Sequence, residues 1–388
     1  MSRPESANSG EASSPGPVAS SSPVGLPSEG QLRDTVRAIA RVQQECGALP
    51  WPDGHTDPWD HVECAMALTV GGLFDEARAA YRWLRRMQAE DGSWAMSYDG
   101  TRILDASVDA NQCAYVAVGV WQWWLVTQDL ELPTEMWPHV HRALNLVVDL
   151  QQPTGHVAWG RSPIGTVSPD ALLTGSSSIY QALRCGIALA ELVGDPQPDW
   201  ELAAGLLQHA IVAHREMFLD KGRYSMDWYY PVLGGAIRGT AAVDLLAERW
   251  DEFVIAGYGA PCVSDRPWVT GAETAELAIA LITIGDFDRG RSLLVDIQCL
   301  RESDGTYWTG LVVDDGLYWP VEASSWTSAA VVLACDALAG GTSYQLFAGH
   351  ELPAGVPIPA DVCRRHGSDC AVAEAAAAGA MAALVGHR

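Results

Sequence analysis

One phrase recurs along this chain and limits its fold more than any other feature. It is an amphipathic helix followed by a glutamine, a glycine and a tryptophan. Its clearest form runs from Ala77 to Trp94, with Ala77, Ala80, Tyr81, Leu84 and Met87 spaced as one buried helical face. Gln88 closes the helix, Asp91-Gly92 supplies a turn in which glycine tolerates a left-handed backbone, and Trp94 follows. The phrase returns at Gln43–Gly47–Trp51, at Gln151–Gly155–Trp159 and at Gln298–Gly305–Trp308. A worn copy, Phe218–Gly222–Trp228, has lost its glutamine. Repetition of this kind decides the architecture before any single residue does.

Between the copies lies a second kind of helix, rich in alanine and apolar nearly all round, which predicts burial on every side. These stretches run over about Trp59–Thr69, Ser107–Val126, Ala171–Val193, Gly234–Ala247, Val269–Ile284 and Glu322–Leu338. Buried inner helices alternating with amphipathic outer ones predict an all-α fold, an (α/α)6 toroid of six hairpins occupying residues 30–340 as one domain. Residues 1–29 are Ser, Pro, Gly, Ala and Glu without an apolar run, and read as a disordered leader and not a secretory signal. Residues 341–388 read as a loop followed by an Ala-rich helix, Cys370 to Leu384.

The chain of 388 residues carries a net charge of −24, with 48 acidic against 24 basic residues, and Lys221 is its only lysine. A phosphate backbone or an anionic lipid surface would be repelled, which argues against nucleic acid and membrane partners. No apolar run reaches the roughly 18 residues of a membrane span. The nine cysteines are scattered singly without framework spacing, so reduced thiols and a cytoplasmic location are expected.

In such a ring the inner helices run parallel, and all six N-termini gather at one mouth. The segments leading into them carry carboxylates and aromatics. They include Asp57-Pro58-Trp59-Asp60-His61-Val62-Glu63, Asp105 to Asn111, Ser168-Pro169-Asp170, Asp227 to Pro231, Asp265 to Trp268, and Trp319 to Glu322. Any one of these acids reads as a helix cap. Six together predict an acidic, aromatic-rimmed funnel, the default place for a small-molecule site. Asp109, Asp227, Asp265 and Glu322 are the candidate acids and bases. Trp59, Asp60, His61, Asp105, Asp170, Trp228, Tyr229, Arg266, Trp268 and Trp319 are the candidate substrate contacts.

The repeat, best matched at Gln88…Gly92-Ser93-Trp94 and Gln298…Gly305-Thr306-Tyr307-Trp308, resembles the QW repeat of the prenyltransferase and squalene-cyclase superfamily. That resemblance implies an enzyme acting on a small isoprenoid or amphipathic substrate, with a carboxylic acid protonating an alkene and aromatic faces stabilising the cation. The chain departs from the family in lacking an Asp-x-Asp-Asp acid motif, its only paired aspartate being Asp314-Asp315 in a glycine-bounded turn. Asp361, Cys363 and His366 lack the spacing of a zinc site, so no metal or other cofactor is implied. Six-hairpin toroids also resemble carbohydrate-active enzymes, and Leu172 to Tyr180 is loosely similar to the glucoamylase type. This alternative implies a glycosidase or epimerase with paired carboxylates, tested first at Asp265, Glu322 and Asp227. A non-catalytic binding toroid is the third reading.

Overall fold

A computed structural model describes residues 25–358. The first helix, α1 (Glu29–Val42), starts where Ser28 and Gln31 cap each other: the Ser28 hydroxyl accepts from the Gln31 N–H, and Gln31 Oε1 accepts from the Ser28 N–H at 2.9 Å. In chain order there follow α2 (Pro58–Val70), α3 (Phe74–Met87), α4 (Ala110–Ala114), α5 (Val116–Thr127), α6 (Glu131–Asp149) and α7 (Leu173–Val193). Next come α8 (Pro198–Ala213), α9 (Ser225–Leu233), α10 (Thr240–Glu248), α11 (Trp250–Phe253), α12 (Gly271–Thr283), α13 (Phe287–Asp296), α14 (Ser325–Leu338) and α15 (Thr342–Ala348).

The inner ring runs α2, α5, α7, α9, α12, α14 and back to α2, each helix packed on the next. The outer layer is α1, α3, α6, α8, α10 and α13, with α1 closing the circle against α14. The fold is therefore the all-α (α/α)6 toroid. Its walls are buried: every residue of α12 is buried, as are Leu173 and Gly175 to Ala190 of α7. Trp83, Trp94, Trp123, Trp200 and Trp228 are fully buried. Burying an aromatic of this size removes roughly 150–250 Å² from water, worth about 4–6 kcal/mol at ~25 cal/mol/Å² before the cost of ordering the chain.

The recurring glutamine fastens the outer layer. Gln43 Nε2 donates to the Gly47 carbonyl at 3.1 Å and to the Glu76 carbonyl on the next outer helix at 2.9 Å. Gln88 does the same to Gly92 and His139, and Gln151 to Gly155 and Ala203. Gly92 has φ +89°, and a Cβ there would sit 2.4 Å from the Arg142 carbonyl oxygen, so only glycine lets the turn abut α6. The repeat is a clamp between successive outer helices. It dictates the toroid and carries no information about isoprenoid chemistry.

The far end of the ring, where inner helices terminate, is crossed by α15 and the turn-rich run after it. Gln122 Nε2 donates to Thr342 Oγ1 at 3.2 Å, and Arg184 donates to the carbonyls of Gly349, Leu352 and Pro353. At the near end the loops form three small antiparallel sheets: β1 (His55–Thr56), β2 (Ser97–Asp99) and β3 (Arg102–Asp105); β4 (Val108–Asp109) with β5 (Gly160–Arg161); and β6 (Trp268–Thr270), β7 (Gly310–Val312) and β8 (Leu317–Tyr318). Pairing Asp109 with Gly160 and Thr270 with Gly310 ties the starts of neighbouring inner helices together.

Two expectations are corrected. The fourth inner helix is α9 and not a helix over 234–247. Gly234 and Gly235, read as its beginning, cap the end of α9, where Gly234 N–H bonds the Tyr230 carbonyl and Gly235 takes φ +85°. Residues after 341, read as loop, begin with α15. The leader's first 24 residues and the Ala-rich helix lie outside the described residues.

Candidate active site

The mouth is dominated by the first two turns of α2. Asp57 is its N-cap, with Oδ1 accepting from the Trp59 and Asp60 N–H groups at 3.0 Å each. The indole of Trp51, the tryptophan that closes the first repeat, donates to Asp57 Oδ2 at 3.1 Å and to Asp60 Oδ2 at 2.7 Å. Asp60 Oδ1 takes no N–H from the protein among the described residues. Asp60 is packed closely by protein yet keeps solvent-accessible surface, as a group in the wall of a funnel does. That burial, with Asp57 and Glu63 beside it, pushes its pKa well above the usual carboxylate range.

Below Asp60 the carboxylates are tied to tyrosines. Glu63, 3% exposed, accepts from Tyr115 at 2.9 Å and from the Trp326 indole at 2.7 Å. Glu276, 2% exposed, accepts from Tyr229 at 2.5 Å and Tyr230 at 2.7 Å. Burial and the nearby Glu63 charge hold Glu276 well above its ordinary pKa. One turn nearer the mouth on the same face of α12 stands Glu273, 5% exposed. Burial raises its pKa, against the opposing pull of the Thr270 hydroxyl and the Cys262 thiol beside it. The funnel therefore presents two carboxyls that no tyrosine holds, Asp60 in the first turn of α2 and Glu273 in the first turn of α12, above a floor of hydrogen-bonded Tyr–Glu pairs.

A third acid flanks them. Asp109 caps α4 through Gln112 N–H at 3.1 Å, and its Oδ2 accepts from the Trp159 indole at 2.6 Å. Burial raises its pKa, with Asp57 adding to the shift. Trp159, 38% exposed, and Trp59 present ring surface to the funnel, and both line a cleft with Asp109. A flat apolar ring beside a carboxylate is suited to a pyranose, whose C–H face stacks while its hydroxyls donate.

Of the residues expected at the site, Asp60, Asp109 and Trp59 are brought together here. Tyr229 lies in the floor, its hydroxyl committed to Glu276. The others stand elsewhere, for identifiable reasons. His61 is fully buried and faces the outer layer: Nδ1 accepts from Leu49 N–H at 3.1 Å while Nε2 bonds the Ala80 carbonyl, and burial lowers its pKa to about 4. It is neither a proton shuttle nor a substrate contact. Trp228 stacks on Phe253 and donates to the Leu245 carbonyl, again away from the funnel. Asp227 accepts from the Thr174 N–H and hydroxyl and shares a cavity with Arg215, Leu245 and Arg249 of the outer layer.

Asp265 is a surface residue paired to Arg223 at 2.7 Å, which lowers its pKa and unsuits it as a general acid; Arg266 beside it is exposed. Asp105 is exposed and holds a turn through Ser107 N–H, and Asp170 is likewise exposed. Trp268 and Trp319 meet edge to face at 4.6 Å on the rim, with Trp319 53% exposed, and Glu322 is half-buried within 3.4 Å of the Thr309 hydroxyl. Asp361, Cys363 and His366 lie outside the described residues, and among those described no cluster of His, Cys, Asp or Glu is arranged for a metal.

Glu273 and Glu276 were not expected. A signal existed: two glutamates three apart inside an otherwise apolar inner helix, where a buried charge is costly unless it has a partner or a function.

An inner ring of six helices inside an outer layer, with an acidic, tryptophan-edged mouth, defines an (α/α)6 toroid. Solved structures of this shape include a glycosidase (TM-score 0.66, 13% identity, 80% of this chain and 98% of that one). They include also a GH63 mannosylglycerate hydrolase from Thermus thermophilus (0.61, 15%, 78% and 99%) and a D-mannose isomerase (0.61, 12%, 80% and 96%). At these identities the likeness is one of fold. No family model matches the chain. A curated relative is decisive: the MMP endo-(1,4)-3-O-methyl-α-D-mannosidase of Mycolicibacterium hassiacum is 53% identical over 328 residues, 84% of this chain and 91% of that protein. The chain belongs to that mannosidase's family and is an enzyme acting on carbohydrate. The prenyltransferase and cyclase expectation is thereby overturned, and the carbohydrate alternative stands in its place.

Proposed function

We propose that this protein is an endo-acting mannosidase that hydrolyses 1,4-linked α-mannosides carrying 3-O-methyl groups. The observation that carries the reading is the 53% identity to a mannosidase of that description along 84% of the chain. The site supports it. Asp60, whose pKa burial and the neighbouring Asp57 raise well above the usual carboxylate range, is the general acid: it protonates the glycosidic oxygen as the C1–O bond breaks. Glu273 is the general base: it takes a proton from the water that bonds to C1, and a raised pKa suits a group whose task is to attract a proton. The products are a free reducing end and a free hydroxyl on the leaving sugar, with Asp60 ionised and Glu273 protonated until solvent resets them. Because water attacks directly, the first product has inverted, β configuration.

Trp59 and Trp159 flank the bound sugars, and Asp109 accepts from a hydroxyl. A cytoplasmic location is supported by seven free cysteines among the described residues. The test is proton NMR of the first product released from a 3-O-methylated α-1,4-mannan oligosaccharide. Appearance of the β-anomer before mutarotation supports the assignment, and initial α-anomer contradicts the base role of Glu273.

A further inference from the structure

Beside the proposed acid, a notch opens off the funnel between α2, α4 and α7. It measures about 70 Å³, several times the roughly 10–15 Å³ that admits one water, so it has room for a few atoms and not for a further sugar. Its walls are Val157, Leu172 and Ile179, its floor is Gly175, and Trp59 and Trp159 stand at its edges. Four polar side chains break this apolar lining: Asp109 and Thr174, which are already hydrogen-bonded to Trp159 and Asp227, and two that are not. Asn111, 4% exposed, makes no hydrogen bond with its carboxamide to any protein group among the described residues, and the buried Ser176 hydroxyl is likewise without a partner. Buried polar groups left without partners call for one from a ligand.

We infer that this notch receives the methyl ether of the substrate, with the methyl against Val157, Leu172 and Ile179 and the Asn111 amide donating to the ether oxygen. The inference rests on the mannosidase reading and deepens it. Rotation about the last side-chain bond of asparagine turns either end of its carboxamide to the ligand. An ether oxygen accepts but cannot donate, which matches the Asn111 amide and the Ser176 hydroxyl as donors that no other lining group engages. One carbon more or less in an apolar pocket discriminates roughly 10–200-fold, so the notch is large enough in effect to set substrate choice.

Gly175 is the residue to change. A Cβ there would meet Asn111 Cβ at 3.5 Å and Leu172 Cβ at 3.7 Å, ordinary contacts, and its backbone is helical, so alanine is accommodated while filling part of the notch. The experiment compares methyl 3-O-methyl-α-mannoside with methyl α-mannoside as competitive inhibitors, and methylated with unmethylated oligosaccharides as substrates. In the native protein the methylated compound should be favoured at least about tenfold in both assays. Gly175→Ala should cut that ratio several-fold, and Gly175→Val should bring it close to one, by weakening the methylated ligand most. Equal ratios in native and variant proteins, or no preference in the native protein, would overturn the notch while leaving the mannosidase reading intact. Failure of the native protein to cleave either oligosaccharide would instead overturn that reading. Should the valine variant not fold, the alanine variant carries the test alone.

Discussion

The Trp326 indole donates to Glu63 Oε2 at 2.7 Å, and this bond joins the last inner helix to the first. Glu63 takes its second bond from Tyr115 on the next helix round, so one carboxyl closes the seam of the ring. Glu63→Leu leaves two donors without a partner in the interior. A loss of about 2–4 kcal/mol is expected from the cost of orphaned buried hydrogen-bonding groups. Urea unfolding of the variant at pH 7 checks this. Stability within about 0.5 kcal/mol of the native protein, the usual scatter of neutral surface changes, would mean that the seam is held by apolar packing alone.

The repeat glutamines make a contrasting prediction. Gln88 bridges the Gly92 and His139 carbonyls between α3 and α6, in the outer layer. Gln88→Ala removes both bonds, at a cost of about 1–3 kcal/mol, and leaves kcat/KM for the mannan oligosaccharide unchanged. Thermal unfolding and steady-state kinetics on the same preparation separate the two effects. A fall in kcat/KM at full occupancy of the folded state would show that the clamp positions the site.

Much of this was legible in the chain. The repeat announced the toroid, because a turn glycine beside a neighbouring helix and a glutamine spanning the gap are local devices written in local sequence. Asp60 and Asp109 were legible as acids at helix starts. What was not legible was which of six similar lead-in segments turns inward. That is settled by helical phase and by the rim sheets, through contacts between residues as distant as Asp109 and Trp159 or Arg223 and Asp265. The same limit hid α9: a Gly-Gly pair ends one helix or begins another depending on what packs beside it. Glu273 and Glu276 were hidden because the stretch around them reads as seamless core, and a repeat that describes scaffold suggested chemistry it does not carry.

The pH dependence of stability has a definite sign. Burial raises the pKa of Asp60, Asp109, Glu273 and Glu276. Each binds its proton more tightly when folded, so its stabilising share is full below the unfolded pKa and is lost as pH rises through the folded value. Asp304, held low by the Thr306 N–H, works the other way: its share is present above the unfolded value near 3.8 and is lost as pH falls through the lowered one. His61 and His139, lowered by burial to about 4, likewise lose their share as pH falls below the unfolded value of 6.5, so Tm should be higher at about pH 6.5 than at about pH 8 and fall on further acidification. Glu276→Gln should flatten the upper slope. A Tm rising steadily across the neutral range contradicts the raised pKa values.

Activity should follow a bell whose limbs both lie above the ordinary values of 3.8 for Asp and 4.5 for Glu. The acid limb reports ionisation of Glu273 and the alkaline limb loss of the Asp60 proton. Asp60→Asn should remove the alkaline limb together with roughly 10²–10⁴-fold of kcat, whereas Asp265→Asn, altering a surface pair with Arg223, should keep both limbs. A profile for Asp60→Asn that retains the alkaline limb would assign the proton to another group.

The most direct measurement is the product pattern from a 3-O-methylated α-1,4-mannan, read by liquid chromatography and mass spectrometry for the native protein, Asp60→Asn and Glu273→Gln. Internal cleavage to shorter oligosaccharides by the native protein, and none above background by either variant at unchanged Tm, is the expected result. An intact polymer after incubation with the native protein, or full activity in both variants, would contradict the account.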